Sequence, residues 1–272
     1  MIKMIALDFD WTMVDYSGPE PTVGRELIDR LNGFVESGGY AGIVSGRQYW
    51  DFQNDFKKMG LPWAQPFPNY LIAREAYIYE VHGRSYKEVL PFNEQMRTEI
   101  LRLNQMLTGC LNDVFRMYEQ HEIKITNFFV YGDFGVEIHV KQENAQKAMH
   151  LLEDFVRKKR LCDVAVHRNG VMVTLYHKNA GKGNTLLKAA RHFGIEPHEV
   201  LAIGDSYNDL SMIDGRFGFH GGCVGNADDE LKTVVRRSGG YVGKYTAYAG
   251  VLDILQQAIE NGRLNDEGII RI

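Results

Sequence analysis

Three aspartates follow short apolar runs. Asp8 and Asp10 come at the end of the run that starts at Met4, and Asp205 comes just after Val200-Leu201-Ala202-Ile203-Gly204. A buried carboxylate without a partner is costly, so carboxylates that converge on one sheet edge usually share a cation. A cluster made only of oxygen ligands suits Mg2+ far better than zinc. Taken singly, each aspartate could simply cap a helix; all three at strand ends favour a common site. Ser45 closes another apolar run, and Lys182 lies in Ala180-Gly181-Lys182-Gly183, where flanking glycines let backbone approach a ligand. Lys178 is the rival cation but lacks those glycines.

These residues need a scaffold, and the pattern around them describes one. Residues 4–9 and 40–44 read as buried parallel strands. Residues 23–36 carry apolar residues at helical spacing and stop at Gly38-Gly39. A second helix spans 48–59, closed by Gly60 and Pro62, and short strands follow at 70–73 and 77–81. Strand, helix, strand, helix predicts a doubly wound α/β unit, whose ligands sit at the carboxyl ends of the strands. The grammar then changes: a helix at 94–107, strands at 123–131 and 136–140, a helix at 144–157, and strands at 163–168 and 171–175. Asn169-Gly170 between the last two is a strong hairpin signal. This part predicts a small antiparallel sheet with helices on one face. From Gly183 the first grammar returns, with a helix at 184–193 and a strand at 200–203. The expected organisation is an α/β core with a doubly wound, Rossmann-like parallel sheet, residues 1–83 and 178–272, interrupted by an α+β cap at 84–177.

Composition narrows the function classes. The chain has 272 residues, of which 44 % are hydrophobic and 24 % charged, as in packed globular proteins. Its net charge of −4 counts against a nucleic-acid backbone as main partner. No apolar run approaches the roughly 20 residues of a membrane span. Asp8 and Asp10 fall where a signal peptide needs its apolar centre, and the three cysteines are scattered, so the expected setting is soluble, reduced and cytoplasmic. Arg157-Lys158-Lys159-Arg160 reads as a helix end rather than a binding patch. His82, His121, His139, His150 and His167 show no ligand spacing. Trp11 has two equal readings, pocket lining or packing.

Asp8-Phe9-Asp10-Trp11-Thr12 resembles the DxDxT signature of the haloacid-dehalogenase superfamily of phosphatases. Ser45, Lys182 and Gly204-Asp205-Ser206-Tyr207-Asn208-Asp209 resemble its second, third and fourth motifs, in the family's order. The insertion between the second and third motifs looks like a type IIB cap. The resemblance implies that Asp8 is a nucleophile forming an aspartyl-phosphate, and that Asp10 protonates the leaving alcohol and then activates water. It implies Mg2+ held by Asp8, Asp10 (through its backbone carbonyl) and Asp205. Thr12, Ser45 and the N–H of Gly46 would hold the phosphoryl group, Lys182 would neutralise it, and Asn208 and Asp209 would orient the metal's water and Lys182. Ser45 read alone is a helix N-cap, and it can be both.

The stretch Ala180 to Leu186, with Gly225-Asn226-Ala227, is similar to the sucrose-phosphate phosphatase branch, although Val173-Thr174-Leu175-Tyr176 replaces the expected Asp-Ile-Leu-Pro. A broader Cof-like sugar-phosphate phosphatase is the neighbouring reading. The implied activity is hydrolysis of a small phosphorylated metabolite, with no nucleic acid or membrane as partner. Arg168 and Asn169, at the tip of the last cap hairpin, are the expected contacts with the sugar; an ordinary exposed turn is the other reading. A phosphotransferase or phosphomutase of the same family is one rival. A non-catalytic phospho-acceptor is the other, but the 135 positions from Arg47 to Lys182 (182 − 47) exceed what a receiver accommodates.

Overall fold

The computed structural model describes residues 1–265, so positions 266–272 of the expected 178–272 segment lie outside the described residues. The chain runs β1 (Met4–Leu7), α1 (Arg25–Glu36), β2 (Tyr40–Val44), α2 (Asp51–Lys58), β3 (Tyr70–Ala73), β4 (Tyr77–His82) and β5 (Ser85–Glu88). It continues with α3 (Phe92–Gln120), β6 (Ile125–Val130), β7 (Gly135–Val140), α4 (Ala145–Lys158), β8 (Val164–Asn169) and β9 (Met172–His177). It ends with α5 (Lys182–His192), β10 (Val200–Gly204), α6 (Leu210–Ile213), β11 (His220–Cys223), α7 (Asp229–Arg237), β12 (Tyr241–Val242) and α8 (Ala247–Glu260). Two compact units result: Met1–Val89 together with the chain from Lys182 onward, and Leu90–Gly181.

The first unit is built on an eight-stranded sheet in the order β12-β11-β10-β1-β2-β3-β4-β5. Strands β12 through β3 are parallel, and β4 and β5 close the edge antiparallel. Strands β1, β2, β3 and β10 are buried almost throughout, which is why they read as continuous apolar runs. The order reverses at β1, with β10 on one side and β2 on the other. Such a switch point opens a crevice at the carboxyl ends, and Asp8, Ser45 and Asp205 follow those three adjacent strands directly.

The first boundary differs from the expected one. Residues 85–88 lack apolar character, yet they pair with β4 as a hairpin, Val81 opposite Tyr86 and His82 opposite Ser85, so β5 belongs to the core sheet. The second boundary falls at Lys182 rather than 178.

In the second unit α3 and α4 cover one face of a four-stranded antiparallel sheet, in the order β6-β7-β9-β8. Val136, Ile138 and Val140 alternate into the core against Leu103, Leu107, Tyr118 and Leu152. Glu137 and His139, between them, sit on the other face and meet at 2.7 Å. Helix α3 passes well beyond the expected end at 107. Gly109 costs about 1 kcal/mol of helix propensity, but Val114 and Tyr118 prolong the apolar stripe and burial decides. The Asn169-Gly170 hairpin forms, with Gly170 at φ 55°. Among the described residues no helix is long and apolar enough to cross a membrane.

Strand β11, His-Gly-Gly-Cys, carries no apolar signal of its own. Its glycines answer to packing: a Cβ on Gly221 would meet the Ile213 carbonyl oxygen at 1.9 Å. Because that obstacle is backbone, Gly221→Ala is expected to destabilise the protein by roughly 2–3 kcal/mol, read as a lower denaturant midpoint; a midpoint equal to wild type would show that the contact yields freely.

Candidate active site

Lys182, the first residue of α5, is 1 % exposed and reaches two carboxylates at once. Its Nζ lies 2.5 Å from Asp8 Oδ1 and 2.5 Å from Asp209 Oδ1. One carboxylate oxygen from each of Asp8, Asp205 and Asp209 lies within 4.8 Å of the others, and all three residues are buried. Two hydroxyls orient Asp205: Thr12 Oγ1 donates to Oδ1 at 3.1 Å and Ser206 Oγ to Oδ2 at 3.0 Å. The second oxygen of Asp209 accepts the backbone N–H groups of Asp205 and Ser206, each at 2.9 Å. The rival Lys178 instead pairs with Asp163 at 2.9 Å. The glycines beside Lys182 serve the protein rather than a ligand. Gly181 has φ 87°, and a Cβ on Gly183 would meet the Ser211 carbonyl oxygen at 2.5 Å.

Burial, then the neighbouring Asp209, push the Asp8 carboxyl well above its ordinary range, while Lys182 pulls it back. Asp205 is pushed up to about 6, by burial first and Asp209 second. Burial works against the charge on Lys182, but Asp209 and Asp8 outweigh it and hold the ammonium protonated. Three carboxylates against one ammonium leave two negative charges (−3 + 1) among these buried groups. An all-oxygen donor set with that excess fits a hard divalent cation. Asn208 Oδ1 is also buried with no hydrogen-bond partner among the described residues, as an acceptor for a cation's water would be. The set that converges is therefore Asp8, Asp205 and Asp209. The side chain of Asp10, expected nearby, goes elsewhere.

Asp10 is held by Arg47 in a two-pronged pair, Nη2 to Oδ1 at 2.5 Å and Nε to Oδ2 at 2.8 Å. Tyr16 donates its hydroxyl to the same Oδ1 at 2.5 Å. Arg47 also reaches Asp55 at 2.8 Å and lies over the Phe9 ring. Burial and then the bond to Asp10 raise the Tyr16 phenol above its usual range. Tyr16 and Arg47, with Phe9, Val14, Asp55 and Met59, line a cavity of about 290 Å3. Between Asp10 and Thr12 the chain turns through Trp11, at φ 60°. A bulky residue there costs about 1–3 kcal/mol. Its carbonyl accepts the Asn226 amide at 2.9 Å, and Asn226 in turn accepts the Ala247 N–H at 2.8 Å.

Ser45 is 2 % exposed, and its Oγ accepts the Arg47 N–H at 3.2 Å. It does not cap α2, which begins at Asp51. Gly46 accepts Arg74 Nη1 at its carbonyl. Asn208 donates to Glu75 at 2.9 Å, while the bond that orients Lys182 comes from Asp209. Glu75, 3 % exposed and at φ 54°, escaped the sequence reading, as did Arg47 and Tyr16. The available signal was a carboxylate just past an apolar strand, the same signal that marks Asp205. In the second unit Arg168 stands opposite Val173, a core residue, and Asn169 opposite Met172. Consecutive strand residues face opposite sides of a sheet, so the expected pair is split.

The sequence profile of the haloacid dehalogenase-like hydrolases matches residues 112–255. The chain belongs to that family. Along 260 residues it is 23 % identical to the 5-amino-6-(5-phospho-D-ribitylamino)uracil phosphatase YitU of Bacillus subtilis, covering 86 % of this chain and 91 % of the relative. Two solved structures share its fold. One is the sucrose-phosphatase of Synechocystis sp. PCC6803 in complex with sucrose and phosphate (TM-score 0.67, 19 % identity, 94 % and 98 % of the two chains). The other is the subclass IIB sugar phosphatase BT4131 (TM-score 0.57, 17 % identity, 96 % and 100 %). By family and by relatives the chain is a phosphatase of the haloacid-dehalogenase type.

The raised Asp205 carboxyl gives a pH test. A folded-state value near 6, above the ordinary 3.8, means that this group's contribution to stability is full below about pH 4 and is lost as pH rises through 6. A bound cation removes that loss and must displace a proton at low pH. Millimolar Mg2+ is therefore expected to raise Tm more at about pH 7.5 than at about pH 5, by differential scanning calorimetry. Equal shifts at both would take Asp205 out of the cation site.

Proposed function

We propose that the chain is a Mg2+-dependent phosphomonoester hydrolase acting on a small sugar phosphate through an aspartyl-phosphate on Asp8. The observation that carries this reading is the separation of two carboxylates only two residues apart: Asp8 pairs with Lys182, whereas Asp10 pairs with Arg47 and Tyr16. Asp8, held by Lys182 beside Asp205, is placed for attack, and the family resemblance gives proton transfer to Asp10.

Asp8 attacks phosphorus in line, the bond from phosphorus to the ester oxygen breaks, and Asp10 delivers a proton to that oxygen. Asp10 then takes a proton from water as it attacks the phospho-aspartate, which frees Asp8 and releases phosphate. Lys182 faces charge that builds on the transferred group, and Ser45 with the Gly46 N–H binds its oxygens. Asp8 and Asp205 would hold Mg2+, with Asp209 beside them and the Asp10 carbonyl as the further ligand the family resemblance implies. When bound, the ion supplies the charge that offsets repulsion between Asp8 and the phosphate. Thr12 keeps Asp205 in place by its hydroxyl.

The sugar assignment draws on the fold likeness to sugar phosphatases and on the face of the second unit's sheet that α3 and α4 leave free. That face carries Phe129, Tyr131 and Tyr176 among the polar side chains Glu137 and His139. Of the two tip residues, Asn169 is kept as the proposed contact with the sugar. Arg168, which stands opposite a core residue and bonds the Gly170 carbonyl, is the weaker one.

Asp8→Asn is expected to lower kcat by at least about a thousandfold while leaving Tm near wild type, in a phosphate-release assay; near-normal turnover would refute the covalent step. Asn169→Ala should raise KM for the preferred sugar phosphate more than for p-nitrophenyl phosphate. Equal losses on both would tie Asn169 to catalysis or folding instead.

A further inference from the structure

Trp11 is a residue that nothing in the chemistry above requires. It occupies a left-handed turn, φ 60°, that a glycine would adopt without strain, and its indole is not used as core packing, since the residue is 45 % exposed. Strain kept at such a position points to a role for the side chain that bears it. The turn is well tied down. Its neighbours are Asp10 and Thr12, Met13 and Val14 both donate their N–H groups to the Phe9 carbonyl, and Asn226 holds the Trp11 carbonyl. The backbone that carries the indole is thus fixed where it stands. The one ring it meets among the described residues is Tyr16, at 5.3 Å between centroids. Tyr16 in turn donates to Asp10.

We propose that the Trp11 indole, backed by Tyr16, is a platform on which the ring of a cyclic sugar phosphate stacks, so that the enzyme prefers ring-containing esters to acyclic ones. The proposal rests on the reading that Asp10 serves the leaving oxygen. Whatever that oxygen belongs to departs beside Asp10, and Trp11 is its covalent neighbour. A pyranose presents several C–H bonds on one face in a fixed array, which suits the negative face of an indole, whereas an acyclic polyol presents none in a fixed array. The hydrogen bond from Tyr16 to Asp10 ties the platform to the residue that serves the leaving oxygen. Trp11 and Tyr16 are positioning residues in this scheme.

The test compares glucose 6-phosphate with sn-glycerol 3-phosphate, both esters of primary alcohols. In Trp11→Gly, whose backbone is relaxed, Tm should stay at or above wild type. The ratio of kcat/KM for the cyclic over the acyclic ester should fall about tenfold, mainly through KM, with Trp11→Phe restoring most of it. Binding is read separately in Asp8→Asn: glucose 6-phosphate should quench tryptophan fluorescence, and the quench should vanish when Trp11→Phe is added, although Trp50 and Trp63 remain. A ratio within about twofold of wild type in Trp11→Gly, or an undiminished quench without Trp11, overturns the platform. Failure of the wild-type protein to release phosphate from any ester strikes instead at the phosphatase reading, and the fluorescence arm still decides the platform.

Discussion

A buried ammonium clasped by two carboxylates organises this site. Lys182, at 1 % exposure, would be a heavy penalty if both partners were missing, since a buried charge left unpaired costs about 3–5 kcal/mol. The clasp therefore constrains three pieces of chain at once: the end of β1, which supplies Asp8, the turn after β10, which supplies Asp209, and the start of α5. Gly183 lets α5 approach the Ser211 carbonyl, and Gly204 makes room for the Asp209 side chain, whose Cβ a larger residue would meet at 2.4 Å. Those glycines exist because the lysine must sit where it does.

The excess negative charge left after the clasp explains the rest of the centre. Lys182 offsets one of three carboxylates, and burial first, then the neighbouring Asp209, raise the Asp8 and Asp205 carboxyls. The cluster is an all-oxygen set that fits a hard cation. Asp10 escapes that field through the Trp11 turn and enters a second one, made by Arg47, Tyr16 and Asp55. Two carboxylates of identical chemistry acquire different surroundings within three residues of chain.

Much of this was legible in the residues. The parallel strands, buried on both faces, had to be apolar runs, and their charges could appear only at the ends, so Asp8, Ser45 and Asp205 stood out together. Asn169-Gly170 announced its hairpin because that pair tolerates the positive φ the turn needs. Arg47 was not legible as a site residue, since an arginine after a serine and glycine is common on surfaces, whereas Glu75 carried the same strand-end signal as Asp205 but outside any motif. Only the 37-residue separation between Asp10 and Arg47, closed by the sheet, makes that pair.

By itself the sequence determined the α/β alternation, the interrupting α+β segment and the motif residues, because these follow from periodicity and from the cost of placing charge inside a strand. Tertiary structure decided what those residues face. It turned Asp10 away from the carboxylate cluster, brought Asp209 into it, put Arg168 and Asn169 on opposite faces of one sheet, kept β5 in the core and made a strand of His-Gly-Gly-Cys. For Asp10, Asp209 and β11 the physical reason is a contact between segments far apart in the chain, where packing and pairing outweigh any local preference, whereas strand alternation splits Arg168 from Asn169 and a tight hairpin with β4 holds β5.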